Sequence, residues 1–541
     1  MQGLMMDKPL LISSLLDHAA KYHRATEIVS RRIDSSIHRY TYADAERRAK
    51  QLSHALQKLG VGEGDRVATL AWNGYRHYEL YFGVSGIGAI CHMVNPRLFP
   101  KQISYIMNHA EDLVVFADVT FIELLENIVP DLKSIKAVVI MTEEDHMPDL
   151  ALPNVYCYET LLAAEDADYE WPIFDENVAS SMCYTSGTTG NPKGVLYSHR
   201  STVLHALMAL TPDMINISAE DSVMPVVPMF HVNAWGLPYS TTMVGAKLVF
   251  PGMHMDGENL HKLIETERVT ISAGVPTVWL GLLEYLERTD NLVDTMKHCV
   301  IGGSATPRAM SVDLEEKYGV KVLHAWGMTE MSPLGTVNCP KNGMEDETSK
   351  ARYDRQIKQG RPCYGVDMKI VNDADETLTD DGEAFGELKV RGFWVCSEYF
   401  RGEGDSHDAE GWFATGDVST IDSEGYMHVT DRSKDVIKSG GEWISSIELE
   451  NIAVGHSEVF EAAVIGVRHP KWDERPLLVV VRTEGSTLTS DTLLTFYEGK
   501  VAKWWIPDDV VFVDELPHTA TGKLLKMELR ERFQGYRLPT V

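Results

Sequence analysis

The densest concentration of chemistry in this 541-residue chain is Tyr184–Gly194, YTSGTTGNPKG, which follows the apolar run Val178–Cys183. Hydroxyls and glycines in alternation leave N–H and O–H groups to surround phosphate oxygens, and Lys193 adds a point charge. A plain surface turn needs one or two glycines, whereas these eleven residues hold five hydroxyls, three glycines and a lysine. The run does not match G-x-x-x-x-G-K-[ST], so it is no Walker loop.

Four shorter runs are weaker. In Gly327–Glu330, GMTE, preceded by His324, Ala325 and Trp326, an aromatic could stack on a base and a glutamate could hold Mg²⁺ on phosphates. In Trp412–Asp417, WFATGD, a carboxylate after a glycine turn suits two ribose hydroxyls. Asp431–Trp443, DRSKDVIKSGGEW, places three cations in seven residues beside two adjacent glycines, and Thr521–Lys523 reads TGK. Taken singly, Trp326 is more often a core aromatic and TGD more often a turn, the charged run reads as a solvated loop, and TGK carries no meaning.

The elements that must position these runs alternate. Tyr42–Leu59 repeats apolar positions at helical spacing and stops at Gly60, and Tyr75–Gly88 reads as another helix. Short β-rich runs recur at Leu113–Phe116, Ala137–Met141, Lys247–Phe250, Ile271–Ala273 and Cys299–Ile301. Strand–helix alternation of this kind implies an α/β fold with largely parallel sheets. From about Gly360 to Asp431, short strands between Gly and Asp turns suggest a β-rich subdomain, and beyond it helix and strand alternate again over about 110 residues.

Composition narrows the function. The length has room for roughly three to four domain-sized units. Acidic residues outnumber basic ones, 79 to 50, for a net charge of −29, which repels nucleic-acid phosphates and anionic lipid. Up to Asp431 there are 36 basic and 62 acidic residues, net −26, and from Arg432 onward 14 and 17, net −3. A nearly neutral tail on an acidic body suggests cations aimed at something specific. Seven scattered cysteines with no CxxC point to reduced thiols and no zinc site, hence a cytoplasmic protein. The apolar stretch Pro9–Leu16 lacks a cleavage-like site, so no signal peptide is expected, and no window approaches the length of a membrane span.

Together and in this order, the five runs resemble the adenylate-forming superfamily of acyl-CoA synthetases, luciferases and peptide-synthetase adenylation domains, from about Tyr42 to Lys526. The resemblance implies a large multi-layer N-terminal α/β core (1–431), with a small β-barrel subdomain at about 360–431. A small mobile α+β lid (432–541) would follow, with a hinge at about 431–434. It implies that Thr185, Ser186, Gly187, Thr188, Thr189, Gly190 and Lys193 cradle the ATP phosphates, with Thr185 and Glu330 near Mg²⁺. Gly303 and Trp326 would sandwich the adenine, alongside Ala325, Gly327, Met328 and Thr329; Asp417 and Arg432 would hold the ribose. Lys434 would be the hinge, Lys438 with Gly441 and Trp443 would serve thioester formation with CoA, and Lys523 would serve adenylation. Many relatives have Tyr where this chain has Trp326.

Val227–Gly236, VPMFHVNAWG, lines the acyl pocket in relatives. Amino-acid-activating domains carry Asp where this chain has His231, which disfavours an amino-acid substrate, and Trp235 matches a tryptophan that gates the acyl tunnel of long-chain enzymes. The overall texture looks most like the methylmercaptopropionate-CoA ligases of dimethylsulfoniopropionate catabolism and the bacterial medium- and long-chain fatty acyl-CoA ligases. An AMP-forming ligase for a short acid such as 3-methylmercaptopropionate is expected, with ATP, Mg²⁺ and CoA, and with a homodimer by analogy to long-chain relatives. The alternatives are a medium- or long-chain fatty acid as substrate, and a luciferase-like oxidative enzyme. A carrier-loading domain would need an acyl-carrier partner, and none is expected after Val541.

Overall fold

The structure is a computed structural model that describes the chain except residues 2, 186–190, 405–406, 441 and 519–523 and the side chains of 442 and 443. The short apolar runs form interior strands of two parallel-rich sheets, because a strand covered by helices on both faces buries nearly every position. One sheet runs in the order Val155–Cys157, Ala137–Ile140, Val114–Ala117, Arg66–Leu70, Ile90–Met93, Ala179–Tyr184, Gly194–Ser198. Its pairs are parallel except the last.

The other sheet has nine strands. Its parallel centre comprises Lys321–Gly327, His298–Ile301, Ile271–Gly274, Ser222–Pro225, Lys247–Phe250 and Glu27–Arg31. Antiparallel strands flank that centre: Leu334–Val337 and Arg361–Pro362 at one edge, Ile37–Thr41 at the other.

The helix expected from Tyr42 spans Tyr42–Lys58 and opens on a capping box between Thr41 and Asp44. Helix Tyr75–Gly86 buries all its residues except Arg76, as an interior element between layers does.

The β-rich region is an antiparallel sheet in chain order, Val366–Val371, Phe385–Gly392, Phe413–Ile421 and Met427–Arg432. Neighbouring strands pair antiparallel throughout, and Gly360, which leads into Arg361–Pro362, bridges Met427 of the last strand. From Ile437 a further sheet runs Glu442–Ile444, Ile437–Ser439, Asp473–Arg482, Val459–His469, with Asp509–Phe512 parallel beside Asp473–Arg482. Its apolar clusters, around Val464 and Leu478 on one face and Ile465 and Leu477 on the other, contain no residue before Ile437. All seven cysteines are free, six of them buried. Among the described residues no helix is long and apolar enough to cross a membrane.

Candidate functional site

Ligands in open α/β sheets sit beyond the carboxyl ends of the strands. Here Tyr184, Pro225, Gly274, Ile301 and Gly327 are such ends, and the two sheets bring them together. The Tyr197 hydroxyl on one sheet donates to the Thr329 carbonyl beyond the other at 2.6 Å. The hydroxyl-rich loop is pinched at its base: Thr185 N–H donates to the Lys193 carbonyl at 2.9 Å, and Lys193 N–H to Thr185 Oγ1 at 3.2 Å. Ser186, Gly187, Thr188, Thr189 and Gly190 lie outside the described residues.

Trp326, one residue before its strand's end, is 9% exposed, its ring so close to Gly335 that a Cβ there would come within 2.5 Å of it. The indole N–H donates to Asp417 Oδ2 at 2.9 Å. Asp417 and Arg432 face each other across two strands, and Arg432 Nε comes within 2.8 Å of Oδ1. The N–H direction misses that oxygen, so Oδ1 stays enclosed, in a residue only 2% exposed, without a hydrogen bond. The ion pair with Arg432 compensates the buried charge, and lone pairs on Oδ1 remain for a further donor such as a sugar hydroxyl. Gly302 and Gly303 begin the loop beyond Ile301, Gly302 beside the Ala325 carbonyl and Gly303 beside Val275.

Glu330 sits in the turn Thr329–Met331 and is 6% exposed. Tyr399 O–H donates to Glu330 Oε1 at 2.6 Å, and Cys396 N–H donates to the Glu330 carbonyl at 2.8 Å. Burial, with the Glu330 carboxylate beside it, pushes the Cys396 thiol up to about 12. Lys193 Nζ lies 4.8 Å from the centre of the Tyr399 ring. A buried carboxylate and the Thr185 hydroxyl are hard oxygen donors, the set a Mg²⁺ ion takes when phosphates and water supply its other ligands.

The run around His231 and Trp235 has an unusual backbone. Val232, Asn233, Ala234 and Trp235 have φ of 44°, 54°, 50° and 54°, followed by Gly236 at 73°. Left-handed backbone costs an L-residue roughly 1–2 kcal/mol and is rare in succession. Asn233 anchors the turn by donating from Nδ2 to Ser181 Oγ at 3.0 Å. The turn sends its two flagged side chains to different places. His231 lines a cavity with Thr185, Tyr184 and Phe230, while Trp235 lies over Gly302 and Gly303. The same cavity is lined by His92, which the sequence did not flag. Its Nδ1–H donates to Asp112 at 2.9 Å, both side chains are fully buried, and Nε2 is enclosed without a hydrogen bond.

Lys434 lies in the turn between Met427–Arg432 and Ile437–Ser439, and burial lowers its pKa. Lys438 sits opposite Trp443 in the strand pair that follows, exposed, with its N–H donating to Glu474 Oε2 at 3.0 Å. Gly441, the Trp443 side chain and Lys523 lie outside the described residues. No motif points to Lys526, 8% exposed, which pairs with Glu450 at 2.7 Å and beside which Asp431 is buried. Burial pushes the Glu450 carboxyl up to about 7. The structure thus gathers Thr185, Lys193, Glu330, Trp326, Asp417 and Arg432 around one set of strand ends, with Lys438 on the following sheet.

Residues 15–400 match the AMP-binding enzyme family, and residues 448–523 match the AMP-binding enzyme C-terminal domain. The chain is 53% identical over 534 residues to a 3-methylmercaptopropionyl-CoA ligase of Ruegeria lacuscaerulensis, covering 99% of each. It is 51% identical over 533 residues to a medium-chain-fatty-acid–CoA ligase of Ectopseudomonas oleovorans, covering 98% of each. Among solved structures, an anthranilate CoA ligase in complex with anthranoyl-AMP superimposes with a TM-score of 0.86 at 25% identity, over 97% of this chain and 98% of the other. The chain therefore belongs to the AMP-binding enzyme family and is an acid–thiol ligase, an AMP-forming acyl-CoA synthetase.

Proposed function

We propose that the acid is 3-methylmercaptopropionate or a similar short-chain acid, joined to CoA through an acyl-adenylate with Mg²⁺ present. A carboxylate is a poor electrophile because its leaving group would be oxide. Its oxygen attacks the α-phosphorus of ATP and expels pyrophosphate; the CoA thiolate then attacks the acyl carbon and expels AMP. Such chemistry asks the protein for position and opposing charge, not for a side-chain nucleophile. Thr185 and Lys193 close the base of the phosphate loop, Trp326 walls the adenine, and Asp417 with Arg432 takes the ribose. Thr185 and Glu330 would hold Mg²⁺, which when bound neutralises phosphate charge. The turn after Arg432 is the hinge between a core of 1–431 and a lid of 432–541, and the enzyme works as a cytoplasmic homodimer.

The observation that carries the nucleotide reading is the buried Asp417 carboxylate held between the Trp326 indole N–H and the Arg432 guanidinium. The choice of acid is supported by two 3-methylmercaptopropionyl-CoA ligases at 53% and 52% identity. A second reading, a medium-chain fatty acid, is favoured by the relative at 51%. A panel of acids assayed for CoA-dependent formation of AMP and pyrophosphate separates them. Ranking the short thioether acid above octanoate supports the first, the reverse ranking the second, and release of ADP and orthophosphate contradicts both.

A further inference from the structure

We propose that Tyr399 is a positioning residue that sets Lys193 and Glu330 as a matched pair before nucleotide arrives. The proposal rests on the reading of those two residues as phosphate and Mg²⁺ ligands. Tyr399 is 8% exposed and lies beyond strand Phe385–Gly392, where no motif drew attention to it. It touches both charges with different parts of one side chain. Its hydroxyl donates to Glu330 Oε1 at 2.6 Å, and its ring face carries the Lys193 ammonium at 4.8 Å.

The grip on each partner is reinforced by the same loop. Cys396 N–H holds the Glu330 carbonyl at 2.8 Å, so main chain and side chain of Glu330 are fixed together. Gly404, at φ +87°, brings its backbone so close to Lys193 that a Cβ would stand 2.3 Å from Nζ. The Phe413 ring, on the strand that carries Asp417, packs edge-on to the tyrosine at 6.3 Å.

An ammonium is attracted to the negative face of an aromatic ring, and a carboxylate to a phenolic O–H. Assigning each charge to its own part of the phenol keeps cation and anion from collapsing into a direct pair that would neutralise both. Lys193 then remains for phosphate and Glu330 for the metal, each held where a ligand gains most from preorganisation.

The test uses the full chain with ATP and no acid. Mn²⁺, standing for Mg²⁺, is titrated and its free fraction read by electron paramagnetic resonance; ATP binding in EDTA is measured separately by equilibrium dialysis. Tyr399→Phe keeps the ring and loses the hydroxyl, so Mn²⁺ should bind about tenfold more weakly, as loss of a hydrogen bond to a charged group does. ATP binding in EDTA should stay within about twofold, because the ring still carries Lys193. Tyr399→Leu, which removes both the hydroxyl and the ring face, should weaken both severalfold. Wild-type Mn²⁺ affinity in Tyr399→Phe overturns the proposal, and so does equal loss of Mn²⁺ and metal-free ATP binding. If the unsubstituted protein binds ATP with no response to Mn²⁺, the metal reading itself fails, and that result appears before any variant is made.

Discussion

Trp326 and Asp417 stand 91 residues apart, and the indole N–H of one holds Oδ2 of the other at 2.9 Å. If Trp326 walls the base and Asp417 takes the sugar, as proposed, the two are one unit: the indole occupies Oδ2 and leaves Oδ1 to Arg432 and the ligand. Trp326→Phe keeps a flat wall and removes the donor. A hydrogen bond to a charged group is worth about 1.5–3 kcal/mol, so the KM for ATP should rise about tenfold or more while the KM for the acid holds. Isothermal titration with ATP checks the same loss without turnover.

Lys523→Ala should abolish adenylate formation by several orders of magnitude, yet still convert supplied acyl-adenylate to thioester. A cation near the α-phosphate opposes charge that grows only in the first step. Lys438→Ala should do the reverse, with a lid that turns about Lys434 presenting one lysine and then the other. Pyrophosphate exchange and thioester formation from synthetic adenylate read the two halves. Equal loss of both halves in each variant would favour one fixed lid position, and near-silence would mark both as solvated charges.

Trp235→Ala should reorder acids by chain length more than it changes the KM for ATP, since one methylene in an apolar pocket is worth about 1–3 kcal/mol. The indole also lies over Gly302 and Gly303, so the opposite result is equally readable. An unchanged acid ranking with a raised KM for ATP would place the ring on the nucleotide's side.

Away from the site, Glu159 bonds Arg48 at 2.9 Å and Arg76 at 2.7 Å. Burial pushes its carboxyl up, but the two guanidinium groups outweigh that and bring it from 4.5 down to about 2. A depressed carboxyl stabilises the fold above its unfolded pKa, and that contribution is lost as pH falls from about 4.5 toward 2. Glu159→Gln should cost on the order of 2–3 kcal/mol in urea unfolding at pH 7. The deficit should narrow as the measurement moves below pH 4.5, and a deficit independent of pH would assign the loss to packing.

The strands and the main helices were legible because each is a short-range pattern. Tyr42–Lys58 was read to within one residue, and Lys247–Phe250 without error. The hydroxyl-rich run Tyr184–Gly194 stands out in sequence because its composition is too biased for a turn. Tyr399 and His92 were not, since their partners lie 69 and 20 residues away and neither belongs to a local pattern. The left-handed turn left only Gly236 as a trace, because Val, Asn, Ala and Trp do not prefer that backbone.

If that turn walls the acyl pocket, it also limits how new specificities can arise. A right-handed or extended segment tolerates an added residue by sliding, but one inserted among Val232–Trp235 would have to adopt the same disfavoured hand or unwind its neighbours. Loop-length variation, the usual source of diversity around an α/β site, is closed to this stretch. A library seeking activity on new acids should hold the length from His231 to Gly236 constant and vary only side-chain identity, with Asn233 kept to anchor the coil on Ser181.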